Sequence, residues 1–263
     1  MMELWELIVL RPMVNGLVAL YSFSSLDFGI AIIIFTILTR VLILPLTLKQ
    51  LKATKAMSVL QPKLQELQKK YDKDKAKLSQ ETMKLYKEAG ISPMGCLVPT
   101  LVQMPIWIAL YQAIIKVNPS TPQDLFDLSR LLYPAEWLHS LVPLKEHFLW
   151  LNLGQPDTLM ILPVLVGASM WVQQKMVTTT GGDPRQESMN KMMLWMFPMM
   201  FFLFSLQFAS GLALYWIVSN IIGIVIQYFV TGWGGLRRQP TPVVVIPPVA
   251  QKTSKDSALK RKN

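Results

Sequence analysis

The sequence predicts an all-α polytopic membrane protein, with a five-transmembrane-helix core carrying a cytosolic helical hairpin. Three observations predict it. Of 263 residues 52% are apolar and only 16% charged, against about 25% charged in ordinary globular chains. Several stretches of about 20 residues, enough to cross a hydrocarbon core of about 30 Å, carry one charge or none. The charges gather between those stretches, unequally by sign, and leave +10 overall.

Residues 1–26 do not read as a secretory signal. Glu3 and Glu6 stand where a positive region belongs, Arg11-Pro12 interrupts the apolar run, and no small-residue cleavage site follows. An outside-facing amphipathic helix over residues 3–10 is expected there, with Leu4, Trp5, Leu7 and Ile8 against lipid.

The first span, 27–48, contains a single charge within its apolar run, Arg40. In the hairpin, 49–92, Met57, Leu60, Leu64, Leu67 and Tyr71 step by three and four, as a coiled-coil seam does. Asp72-Lys73-Asp74-Lys75 is a polar turn, and Leu78, Thr82, Leu85 and Ala89 resume the spacing up to a stop at Gly90. Pro62 is expected in the first turn of the ascending helix, where its missing N–H costs nothing. So slight a seam predicts a mobile hairpin. Its lysines suit a solvated face, a lipid surface, or a binding site for RNA or protein.

The second span, 93–117, is uncharged from 94 to 115. The outside loop, 118–157, reads as short interfacial helices with Tyr133, Trp137 and Trp150 at headgroup level. The third span is 158–177, followed by a neutral cytosolic loop, 178–191. From 192 to 236 there are 45 residues without a charge, which as one helix would run about 68 Å, twice a bilayer core. The stretch must fold back, and Gln207 to Gly211 is its one polar, small-residue break. Spans 192–207 and 211–232 follow. Pro45, Pro99, Pro105, Pro163 and Pro198 fall inside spans, where packed membrane helices tolerate kinks. The tail, 233–263, is proline-broken, basic, and expected to be a disordered cytosolic arm that binds polyanions.

Charge sets the orientation. Residues 49–88 carry net +6 and the tail after Gly232 net +6, while 117–157 carry net −3. Five spans put both basic segments on one side. The positive-inside bias makes that side the cytosol and the N-terminus external.

The composition excludes a disulfide scaffold, since Cys96 stands alone. His139 and His147 lie in the outside loop with no thiol beside them, so neither a metal site nor any cofactor is expected. No serine in a span has an intramembrane base, and no span holds the titrating carboxylate of a proton-coupled carrier. A catalytic constellation is absent, and an enzyme is not expected. What stands out is Arg40, since an arginine near a helix centre costs on the order of 2.5–3.5 kcal/mol. Either it snorkels toward Lys49, or it faces a water-filled cavity among neutral groups such as Gln103, Gln173, Gln207, Asn220 and Gln227. The second case implies an anionic guest.

The residues resemble the YidC/Oxa-type membrane protein insertases over about 20–235. The matching stretches run from Thr39-Arg40 to Pro45-Leu46, then Leu60-Gln61-Pro62-Lys63 and Met83-Lys84-Leu85-Tyr86-Lys87. Others are Met94-Gly95-Cys96 with Pro99, Gln103-Met104-Pro105-Ile106, Ala109-Leu110-Tyr111, and the run from Ser210-Gly211 through Tyr215-Trp216 to Ser219-Asn220. The resemblance implies a hydrophilic groove closed toward the outside and open to the cytosol and to lipid. Arg40 matches the groove arginine, Thr36 and Trp216 match lining positions that meet substrate, and Gln103 matches a polar groove position. Tyr215 and Asn220, in the last motif, complete the expected substrate-binding set.

The implied function is insertion and folding of newly made membrane proteins in the plasma (inner) membrane of a bacterium. The implied partners are nascent membrane proteins, membrane lipid, a ribosome docked on the basic tail, and a Sec-type translocation channel as a further candidate. One chain can build the groove, which favours a monomer. The sequence departs from larger members by lacking a big outside domain and an extra N-terminal span, and from the lipoprotein type by lacking a lipid-attachment cysteine. A small anion transporter or channel is the alternative class, and a chaperone acting beside a translocation channel is a third.

Overall fold

The computed structural model describes residues 2–24, 27–90, 97–117, 119, 121–178 and 184–236. The tail from 237 onward, the Met94-Gly95-Cys96 stretch and the loop centre at 179–183 lie outside the described residues. The described chain is almost wholly helical. Its elements are α1 (Met2–Trp5), a π-helical turn (Glu6–Leu10), α2 (Arg11–Phe23), α3 (Phe28–Lys70), α4 (Lys75–Glu88) and α5 (Leu97–Lys116). There follow α6 (Pro122–Leu131), α7 (Glu136–His139), a hairpin of β1 (His147–Phe148) and β2 (Leu151–Asn152), α8 (Ile161–Val177), α9 (Pro184–Ser205) and α10 (Ser210–Thr231). A 3-10 turn, Gly234–Leu236, closes the described chain.

The N-terminal helix differs from the short segment expected over 3–10. Arg11-Pro12 does not end it. The Arg11 N–H bonds the carbonyl of Glu6, five residues back, and this wider π turn accommodates the proline just as the ladder would lose its donor. Leu4, Leu7 and Ile8 are exposed, whereas Trp5 turns inward and donates its Nε1 to Gln112 Oε1 at 2.8 Å. Both ends of this helix rest at one end of the bundle. Gln112 is one turn from the end of α5, and at the other end the Tyr21 hydroxyl accepts from the Lys145 N–H at 3.1 Å. Between them Arg11 donates to the carbonyls of Leu131 and Leu132, and Asn15 bonds the Leu131 carbonyl and the Tyr133 N–H.

Asp27 caps α3, accepting from the Ile30 N–H at 3.1 Å. The helix then runs unbroken for 43 residues, about 65 Å at 1.5 Å per residue. The first expected span and the ascending arm of the hairpin are therefore one helix. Pro62 sits deep inside it rather than in a first turn. The cost of a proline there is one lost backbone bond and a kink, and here the surroundings are half-open to solvent, where water can take the freed carbonyl. The turn at 71–74 brings the chain back, and Asp74 caps α4 through the Lys77 N–H at 3.0 Å. Met57, Leu60, Leu64, Leu67 and Tyr71 are half-buried, as are Leu78, Thr82, Leu85 and Tyr86. Among the described residues of α4 none is fully buried. Partial burial pushes the Tyr86 phenol up from its ordinary value, so it stays a neutral seam residue. Gly90 follows with φ +66°, the left-handed position at which helices commonly stop.

Among the described residues three helices are long and apolar enough to cross a membrane by length and composition: Glu6–Phe23, Phe28–Lys70 and Ser210–Thr231. Helix α10 is central, packed between α3 and α8, and α8 in turn carries α9. Helix α9 starts at Pro184, eight residues ahead of the expected 192. Pro45, Pro105 and Pro198 sit within continuous helices.

The loop between α5 and α8 forms a cap. It contains the expected short helices, α6 and α7, and also a β-hairpin that no periodicity announced. Ser210 and Gly211 donate their N–H groups to the Gln155 and Leu153 carbonyls at 2.7 and 3.0 Å. The start of α10 is thereby tied to the cap. Buried Asp157 accepts from the Leu159 and Leu162 N–H groups and holds the start of α8.

The apolar core lies at this capped end, drawing on Val14, Leu17, Ile32, Ile114, Leu128, Leu153 and Leu212. In α3 burial ends at Thr36 and does not resume until Leu51; in α5, from Gln103 onward, the first buried position is Ala109. Burial is densest at the cap, and beyond it α3 is more exposed while α10 stays buried at Ser219, Asn220, Gly223 and Gln227.

Candidate functional site: a polar chain at the open end of the bundle

Arg40 lies one turn beyond Thr36, about 18 Å along α3 from Phe28, just where the packed core gives way. It is half-buried. Its Nε donates to Ser219 Oγ of α10 at 2.7 Å. Ser219, itself buried, lies on the same face of α10 as Tyr215, one turn back. The Tyr215 hydroxyl in turn accepts from Gln103 Nε2 of α5. Three helices thus contribute to one polar chain of side chains: Gln103 of α5 and Arg40 of α3 each bond α10, at Tyr215 and at Ser219 one turn on. Among the described residues no carboxylate pairs with Arg40, and its terminal nitrogens make no hydrogen bond.

Of the six expected groove residues, Arg40, Gln103 and Tyr215 meet in this chain. The other three do not. Thr36 is fully buried and spends its hydroxyl on the Ile32 carbonyl of its own helix at 2.6 Å. Asn220 donates to Ser169 Oγ of α8 at 3.1 Å, because neighbours on a helix point about 100° apart. Trp216 is buried in an aromatic cluster. It stacks on Trp107 of α5 with centroids 5.8 Å apart and meets Phe201 of α9 and Phe208 edge-on at 5.0 and 6.3 Å. These rings join α5 to the α9–α10 turn and wall the site on one side.

Ser219 and Trp107 escaped sequence reasoning. The signal for Ser219 was present: it follows Tyr215 by four and so shares its helical face, whereas Asn220 does not. Trp107 follows Gln103 by the same interval. His139 and His147 are both exposed, and no group of three or more His, Cys, Asp or Glu able to hold a metal occurs among the described residues.

Comparison with known proteins decides the family. The model of the 60Kd inner membrane protein family matches residues 19–234. The chain belongs to this YidC/Oxa-type family. The membrane protein insertase YidC of Syntrophus aciditrophicus is 41% identical over 86% of this chain, which spans only 37% of that relative. The insertase MisCA of Bacillus subtilis is 35% identical over 90% of this chain and 83% of its own length. Insertase YidC 1 of Halalkalibacterium halodurans is 36% identical over 87% and 79% respectively. Among solved structures, an active YidC insertase with its first transmembrane domain resolved matches with a TM-score of 0.57 at 26% identity. That match covers 82% of this chain and 44% of the other. As a family member this chain thus corresponds to one part of the larger relatives and most of the smaller ones.

Proposed function

We propose that this protein is a membrane protein insertase and chaperone, which accepts newly made membrane proteins through the open end of its helical bundle. The observation that carries the reading is Arg40: a half-buried guanidinium, without a carboxylate partner among the described residues, just beyond the last buried residue of the capped part of α3. A cation so placed is costly unless water or an anion reaches it.

The arrangement in the membrane follows from charge and contact. Helices α3, α5, α8, α9 and α10 are the five spans, with the N-terminus outside and the C-terminus in the cytosol of a bacterium. The 2–23 helix is long enough to span, yet Trp5 and Tyr21 both bind the capped end of the bundle. It therefore lies along the outer interface, with Leu4, Leu7 and Ile8 toward lipid. The α3–α4 hairpin is then cytosolic, and its lysines and the basic tail face ribosome and nascent chain. A Sec-type channel is a further partner, and a single chain builds the groove.

Mechanistically, an acidic outer tail of a single-span substrate enters from the cytosol. The free edge of Arg40 holds its carboxylates where charge interactions exceed those in water. Part of the polar segment then stands within the depth of the bilayer, which shortens the remaining barrier. The apolar segment moves sideways into lipid, driven by hydrophobic transfer and assisted by the membrane potential.

The test is reconstitution of the protein alone in vesicles, with protease protection of a single-span substrate bearing an acidic tail. Wild type is expected to insert it, Arg40→Ala to lose most of that activity, and Arg40→Lys to recover a part. Solute flux without insertion would instead favour an anion transporter, and insertion indifferent to Arg40 would remove the cationic groove from the mechanism.

A further inference from the structure

The bond between Arg40 and Ser219 does more than satisfy two polar groups. A guanidinium can grip a carboxylate side-on, through Nε and one terminal nitrogen, or end-on through both terminal nitrogens. At 2.7 Å from Ser219 Oγ the Nε–H is already engaged, which removes the side-on mode. Ser219 is itself held in place, since it is 3% exposed on the central helix, one turn beyond Tyr215, which Gln103 bonds from α5. The remaining N–H groups, on the two terminal nitrogens, have no partner among the described residues.

We propose that Ser219 is a positioning residue: it locks the Arg40 guanidinium by Nε and so leaves the end-on fork to take substrate carboxylates. This inference rests on the insertase reading and names the chemistry its groove selects. A planar, two-oxygen acceptor matches the fork, and side-chain carboxylates of a translocating tail provide it. A lysine at position 40 would keep the charge and lose the fork. Ser219 would then have nothing to orient.

The experiment measures selectivity, the ratio of insertion of an acidic-tail substrate to that of the same substrate with Asn and Gln in place of Asp and Glu. Because both substrates meet the same protein, a loss of folded protein cancels from the ratio. Ser219→Ala is expected to lower the ratio about tenfold, the factor matching about 1.4 kcal/mol for a hydrogen bond to a charged group. Ser219→Thr, which keeps a hydroxyl at the same place, should restore most of it. Combining Ser219→Ala with Arg40→Lys should lower the ratio no further than Arg40→Lys alone, because the two changes remove one device. An unchanged ratio in Ser219→Ala, or full additivity with Arg40→Lys, would overturn the positioning role while leaving the groove reading intact if Arg40→Ala abolishes selectivity. Selectivity that survives Arg40→Ala would remove both.

Discussion

Arg40 was legible in the sequence because a lone charge in an apolar run has few explanations. Its partner was not. Serine is small, common and tolerated anywhere in a membrane helix; spacing puts Ser219 on the face of Tyr215, but only the crossing of α3 with α10 brings it to Arg40. The Tyr215 hydroxyl accepts from Gln103, so Tyr215→Phe leaves the Gln103 amide short of an acceptor. It is expected to cost about 1–3 kcal/mol of stability, read as a lower thermal midpoint in detergent. Trp216 was expected at the groove surface, but its ring is committed to Trp107, Phe201 and Phe208. Trp216→Ala should therefore act first on stability, by about 3 kcal/mol, and Trp216→Phe by much less. A Trp216→Ala protein as stable as wild type would place the ring's role in substrate contact instead.

At the scale of elements, hydropathy marked where apolar helices occur but not where they stop. Pro62 and Arg11-Pro12 both read as boundaries, and neither is one, because neighbouring backbone, a π turn in one case and a half-open helix in the other, absorbs the missing donor. Polar turns were more informative. Residues 72–75 mark the hairpin reversal, and Asp74 supplies the cap there. Asp74→Ala should weaken the start of α4 by about 1 kcal/mol, detected as faster amide exchange through α4 with α10 unaffected. The β-hairpin of the cap was illegible since two-residue strands leave no pattern. Its Phe148 ring covers Gly29 of α3, and a Cβ built at Gly29 would lie 2.2 Å from the ring. Gly29→Ala should thus destabilise the cap by about 1–3 kcal/mol. Adding Phe148→Ala should return part of that loss, whereas additive losses would mean the contact is not the cause.

Across the whole molecule, one asymmetry organises the rest. The cap, the N-terminal helix and the capped halves of α3 and α5 hold most of the apolar core, and beyond Thr36 α3 is more exposed. Charge counts propose a sidedness for this arrangement, with the cap outside. They could not anticipate the depth of Arg40, which depends on how far the cap packs down around α3. Reversing the charge tests that most directly. In vesicles containing only this protein, wild type should insert an acidic-tail substrate better than its neutralised counterpart, and Arg40→Glu should abolish or invert that preference. An equal preference in both proteins would contradict the account, because the carboxylates would then be recognised somewhere other than at Arg40.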